Sequence, residues 1–265
     1  TGPTDTTVNM VSMGNLTVGG EIDVPSGVVN LAVIKSAVDN EQQFEDRQLT
    51  LQSSSIIDVS GGTILKPSDV GLRQGVLSNG GDVTIKADIG SIKVENGSLI
   101  DISGTQATLD QKTYGSNGYT TQTLTSVGGS LSLQGAESIT MLGNLNAQGG
   151  SNGNTRNTGG SLNVTLTRQL PTYGAETFDP SPRVLEITNG AGRSAGSGFA
   201  SINSDLIKNS DIANLKLRAD NQIAINSGVE LDVSQRLLLN APEIKVEGEG
   251  EAKLTAAYVT VGPQQ

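Results

Sequence analysis

Apolar and polar residues alternate with a period of two through most of this chain. Segments 82–87 (DVTIKA), 91–95 (SIKVE), 130–134 (SLSLQ), 161–166 (SLNVTL), 214–219 (NLKLRA) and 243–247 (EIKVE) each turn aliphatic side chains to one face and polar ones to the other. Clusters of Gly, Asn, Ser and Asp separate them, the residues that tight turns require. Helical periodicity is nearly absent. The one helical candidate, Ser204 to Ser210, is at most two turns long. The pattern predicts an all-β protein of short strands.

A repeated element marks the alternation. It reads Ile-Asp-Val-Pro-Ser-Gly from Ile22, Ile-Asp-Val-Ser-Gly from Ile57, Ile-Asp-Ile-Ser-Gly from Ile100 and Leu-Asp-Val-Ser-Gln from Leu231, with a degenerate copy at Leu145. Its polar anchors are Asp23, Asp58, Asp101, Asn146 and Asp232, at spacings of 35, 43, 45 and 86. A spacing near 43 suggests two coils of roughly 20–22 residues each, within the solenoid range of repeat periods. Two apolar residues would point inward, Asp outward, and Ser-Gly would turn the corner. The expected fold is a right-handed parallel β-helix, a single unit over residues 1–265. Roughly nine to eleven coils would make a rod about 45–50 Å long.

Three stretches break the rhythm and are expected to be loop insertions at 105–127, 151–158 and 169–198. The first is Thr-rich, the second is SNGNTRNT, and the third holds the proline-rich run Gln169–Pro182 and the Gly-rich run Asn189–Gly198. Insertions at coil corners cost little closure entropy.

Composition narrows the chemistry. Hydrophobic residues are 35% and aromatics 3%, with 34 Gly, so the core must be layered Ile, Val and Leu rather than large rings. Histidine and cysteine are both absent, which removes imidazole bases, Ser-His-Asp and Cys-His sites and Cys/His zinc sites. A net charge of −10 repels nucleic acid and anionic membranes. No apolar run is long enough for membrane insertion. The opening TGPTDTTVNM has neither the basic nor the apolar region of a signal peptide, so a secreted protein of this kind would be a mature form or an excerpt.

The outward Asp residues invite a calcium ladder or a sugar-cleaving carboxylate cluster. Their place beside Ser and Gly fits turn architecture better. At two-coil spacing they would lie about 10 Å apart, too far to share an ion. Asp82, Asp88, Lys86, Lys93 and Glu95 resemble a lyase-type charge group, and alternation on a solvated strand face explains them equally. Gly190-Ala-Gly-Arg-Ser-Ala-Gly lacks the Lys-Ser/Thr ending of a phosphate loop. No catalytic, cofactor-binding or metal-binding residue is assigned. Tyr114, Tyr119, Tyr173 and Phe178 fall in the expected loops and are the candidate contact residues.

Three blocks resemble filamentous-haemagglutinin-like exoproteins of the two-partner secretion type. They are 49–62 (LTLQSSSIIDVSGG) followed by GLRQG and GGDVTIKA; GGSLSL, GNLNAQGG and GGSLNVTL between 128 and 166; and 198–262 from GFASI through LLLNAPEI to LTAAYVTVG. The resemblance implies a long extracellular fibre exported through a partner outer-membrane transporter, with adhesion, biofilm contacts or toxin presentation as its role. The family's secretion domain carries an Asn-Pro-Asn-Gly type motif, and no Asn-Pro dipeptide occurs here, which implies an internal segment. The expected function is therefore a structural and adhesive shaft of a secreted bacterial surface protein, without enzymatic activity or cofactor. Its expected partners are a host or bacterial receptor or an exopolysaccharide. A carbohydrate-active β-helix, lyase or depolymerase, and the stalk of a contact-dependent toxin are the alternatives.

Overall fold

The computed structural model describes residues 6–35, 47–115, 118–168, 182–190 and 195–263. Short strands follow one another in rotation around three faces. The first coil is β1 (Thr7–Ser12), β2 (Leu16–Val18) and β3 (Glu21–Asp23); the second is β4 (Val28–Val33), β5 (Gln48–Leu51) and β6 (Ile56–Asp58). A hairpin, β7 (Thr63–Lys66) and β8 (Gln74–Leu77), precedes the third coil of β9 (Asp82–Ala87), β10 (Ser91–Val94) and β11 (Leu99–Asp101). A second hairpin, β12 (Gln106–Lys112) and β13 (Tyr119–Thr125), precedes β14 (Ser130–Gly135), β15 (Ser138–Met141) and β16 (Asn144–Asn146). Then come β17 (Ser161–Leu166), β18 (Val184–Thr188), β19 (Phe199–Asn203) and the helix α1 (Ser204–Asn209). The last coils are β20 (Asn214–Ala219), β21 (Gln222–Asn226) and β22 (Glu230–Asp232), then β23 (Arg236–Asn240), β24 (Glu243–Glu247) and β25 (Lys253–Thr255), closing on β26 (Tyr258–Val261).

The first face is an eight-stranded parallel sheet in the order β1-β4-β9-β14-β17-β20-β23-β26. The second is also eight-stranded, β2-β5-β10-β15-β19-β18-β21-β24, and the third holds β3-β6-β11-β16 and, later, β22-β25. The result is an all-β, solenoid-like fold built of long parallel sheets.

Alternation becomes stacking because like residues fall in register. Ile22, Ile57, Ile100 and Leu145 form one interior column of the third face. Leu31, Ile85, Leu133, Val164, Leu217 and Leu239 form one of the first face. From Leu31 to Leu239 that column is buried, and it belongs to one continuous aliphatic cluster. The same alternation leaves Asn9, Asn30, Thr84, Ser132 and Asn163 in an outward column.

The coil length is 21 or 22 residues where nothing is inserted, from Thr7 to Val28 and from Asn214 through Arg236 to Tyr258. The two-coil reading of the repeat does not hold. Asp23, Asp58, Asp101 and Asn146 are direct register partners on successive coils, so they stack about 4.8 Å apart rather than 10 Å. Insertions, not skipped coils, stretch the spacing to 43 and 45. Eight strands on the first face span about 34 Å, fewer coils and a shorter rod than expected.

The expected insertions also take more definite form. Residues 105–127 contain the antiparallel hairpin β12–β13, with Thr108–Thr123 and Thr113–Thr120 hydroxyl pairs along it. Within 169–198, β18 is a strand of the second face; residues 169–181 lie outside the described residues. Strand β18 also breaks the level order. It pairs with β19 and β21, whereas β19 pairs with β15. The chain therefore enters the second face one level high, returns to fill the level below, and then crosses the third face as α1. Asn203 caps α1 by accepting from the Asp205 N–H at 2.8 Å, and Ile207 plugs it into the core.

Candidate functional site

The residues singled out by sequence are dispersed. Tyr114 lies in the turn of the β12–β13 hairpin and is fully exposed, and Tyr119 begins β13 with 42% exposure. Tyr173 and Phe178 lie outside the described residues. Four of the five lyase-like charges neutralise one another in pairs, Lys86 Nζ to Asp88 at 2.7 Å on the first face and Lys93 Nζ to Glu95 at 3.0 Å on the second, while Asp82 accepts from the Ser130 hydroxyl. The hydrogen bond from Lys93 holds the Glu95 carboxyl below its ordinary value. Carboxylates so held serve poorly as general acids.

The stacked Asp residues act on the backbone. Asp58 Oδ1 accepts from the Ser60 N–H and Asp101 Oδ1 from the Ser103 N–H, both at 2.8 Å, turning the corner that Ser-Gly completes. Asn146 Nδ2 donates to Asp101 Oδ2 at 2.8 Å, so the amide at the end of the column pairs with the acid of the preceding coil. Among the described residues no three acidic side chains converge as a metal cage. Asp101→Ala is expected to cost about 1–2 kcal/mol, read as a lower urea midpoint, with the same loss in calcium and in chelator. Calcium-dependent protection of the wild-type chain alone would refute the turn assignment.

One lateral feature escaped the sequence reading. Three successive coils carry an excursion at the same corner, between the third face and the first. These are the hairpin β7–β8, the hairpin β12–β13 and the loop closed by the Ser151–Arg156 bridge. They pack on one another: Asp110 N–H donates to Arg73 O and Arg73 N–H to Asp110 Oδ2, both at 2.7 Å, while Gly150 N–H reaches Ser126 O at 2.9 Å. The Thr121 hydroxyl, then the Arg73 N–H, hold the Asp110 carboxyl below its ordinary value. Leu65, Val70 and Val76 are exposed on this ridge beside Tyr114 and Tyr119. The signal for β7–β8 was the Pro67-Ser-Asp-Val-Gly71 turn between two apolar pairs, with Gly71 at φ +74°.

A cleft of about 490 Å³ opens where α1 replaces a third-face strand. Asn96, Asn144, Asn203, Asp205 and Asn209 supply its polar wall and Leu206 part of its apolar one. Amides and one carboxylate can hydrogen-bond a hydroxylated ligand, but they contain no nucleophile–base pair.

At the opposite corner, Glu137 is 1% exposed between Arg183 Nη2 at 2.7 Å and Arg168 Nε at 3.3 Å. Arg183, 2% exposed, also donates Nε to Ala136 O at 2.7 Å. Burial lowers the Arg183 pKa, and the Glu137 carboxylate opposes that shift. The cluster bolts together the coils on either side of the misordered strands: Gly198 N–H donates to Glu137 O, and Arg183 N–H to Asn221 Oδ1.

No helix among the described residues is long and apolar enough to cross a membrane. Comparison of the chain with family models, with curated proteins and with solved structures gives no match.

Proposed function

We propose that this chain is a segment of a right-handed parallel β-helix forming the structural and adhesive shaft of a large secreted bacterial surface protein. In this reading it is of the filamentous-haemagglutinin-like type, exported by a partner outer-membrane transporter. The carrying observation is the rotation of the chain around three faces, with an unbroken eight-strand first sheet over an aliphatic core. Parallel crossovers are overwhelmingly right-handed, which supports the handedness. Repetition along one axis is what a load-bearing spacer needs, because each coil contacts only its neighbours. The stacked ridge gives such a shaft a lateral contact surface.

Small-angle scattering of the purified chain is expected to give an elongated particle with one constant cross-section. Cells displaying the chain are expected to adhere or aggregate more than cells without it. Incubation with polysaccharides is expected to release no reducing or unsaturated ends. A spherical particle refutes the shaft; measurable cleavage refutes the non-enzymatic role.

A further inference from the structure

We propose that the outer surface of β17, β20 and β23 is a docking face for a linear anionic polysaccharide. The proposal deepens the adhesive reading above and takes its setting from it.

On the first and second faces the other outward lysines obey a simple rule, which Lys66, Lys112 and Lys253, off those faces, do not share. Lys86, Lys93 and Lys245 each pair with an acid two residues further on, Asp88, Glu95 and Glu247, at 2.7, 3.0 and 2.9 Å. Two residues on along a strand is the next position on the same face. Strand β20 breaks the rule: two residues beyond Lys216 stands Arg218, a second cation. Register does not restore balance. Lys216 lies between Asn163 and Leu238, Arg218 between Thr165 and Asn240, and Asn214 between Ser161 and a third cation, Arg236. The nine-position grid on three adjacent strands thus carries three positive charges and no carboxylate. All three cations are exposed and none forms an ion pair among the described residues. The next acid along the chain, Asp220, accepts from the Arg168 N–H at 2.9 Å.

Like charges on one strand face repel one another locally, and an anionic ligand relieves that repulsion. The face is a flat parallel sheet, so an extended polymer laid across the strands meets successive rows about 4.8 Å apart. Asn163 and Thr165 stand beside the cations as donors and acceptors for hydroxyl groups. Tyr258, the register partner of Arg236 and 74% exposed, adds a platform for a sugar ring. A single-stranded nucleic acid is disfavoured because β17, β20 and β23 carry no aromatic side chain on which bases could stack.

The test is binding of the immobilised chain to alginate, dextran sulfate and neutral dextran at low and high ionic strength. Retention of alginate or dextran sulfate, weakened by salt, is expected, with none of neutral dextran. The alginate and dextran sulfate arms separate carboxylate from sulfate recognition. Lys216→Gln/Arg218→Gln/Arg236→Gln is expected to weaken binding about tenfold or more. Lys208→Gln/Lys245→Gln/Lys253→Gln, which removes equal charge away from this face and from the ridge, is expected to retain it. Failure of both anionic polymers to bind, equal loss in the two triple variants, or equally tight capture of a single-stranded oligonucleotide by the same face would overturn the proposal. The elongated scattering profile does not depend on these side chains, so it tests the shaft reading separately.

Discussion

Glu137→Ala is expected to lower the stability of the chain by about 3–5 kcal/mol, the usual loss when a buried ion pair keeps only one partner. The magnitude follows from what is left behind. Arg183 is almost wholly buried, and Glu137 is the acid in direct contact with its guanidinium, whose Nε also donates to the Ala136 carbonyl. Burial already disfavours its charged form, and Glu137 is the main counterweight. Arg168, 15% exposed, can turn toward water and should matter less. Glu137→Gln keeps an acceptor but loses the charge, so an intermediate loss is expected. Urea unfolding followed by circular dichroism checks the series. The double variant Glu137→Met/Arg183→Met discriminates further: with both charges gone it should be more stable than Glu137→Ala. A Glu137→Ala loss below about 1 kcal/mol would mean that water reaches the pair after all.

Gly129→Ala is expected to cost about 3 kcal/mol, at the upper end for overpacking in a tight interior. Gly27, Gly81, Gly129 and Gly160 each precede a first-face strand, and they stack into a column at the corner. A Cβ on Gly129 would lie 1.9 Å from Gly81 O and 2.7 Å from Gly80 C, both backbone atoms of the coil below. Neither can yield, because Ser130 N–H is bonded to Gly81 O and Gly129 N–H to Ile102 O. The coils would have to part against ladders that hold them about 4.8 Å apart. Gly20→Ala is the control: a Cβ there meets nothing within 4 Å, and a change within about 0.5 kcal/mol is expected. Equal midpoints for the two variants would show that the corner is looser than its geometry.

Both changes fall at corners, and corners separate what was legible in the chain from what was not. The strands were legible: Val83, Ile85, Leu131, Leu133, Leu162 and Val164 could be assigned inward because a pleated strand alternates with a strict period of two. The Gly-Gly pairs at 80, 128 and 159 were visible as motifs, but their necessity is steric and appears only when one coil lies on another. The helix at Ser204–Asn209 was also legible; that it fills a missing third-face strand was not.

The candidate sites were harder to read. Tyr114 could be placed on an insertion because Gly, Asn and Thr surround it. The ridge beneath it depends on three insertions leaving from the same corner, and no local pattern encodes that. Glu137 sits in a GAES string resembling any polar turn; its burial comes from Arg168 and Arg183, 31 and 46 residues later, brought back by the coiling. By itself, then, the sequence determined the element type, the inward set and the Asp-Ser-Gly corner, all consequences of neighbours along the chain. The bare coil of 21 or 22 residues emerges only from the register, since the spacing of 43 belongs to one coil rather than being divided over two. Only the tertiary structure decided that successive Asp copies touch, that β18 is laid down a level ahead of β19, and that Lys216, Arg218 and Arg236 share one face. The physical reason is register: coil-to-coil pairing is set by the ladder and by the insertions between strands, and period-two alternation is the same in every coil.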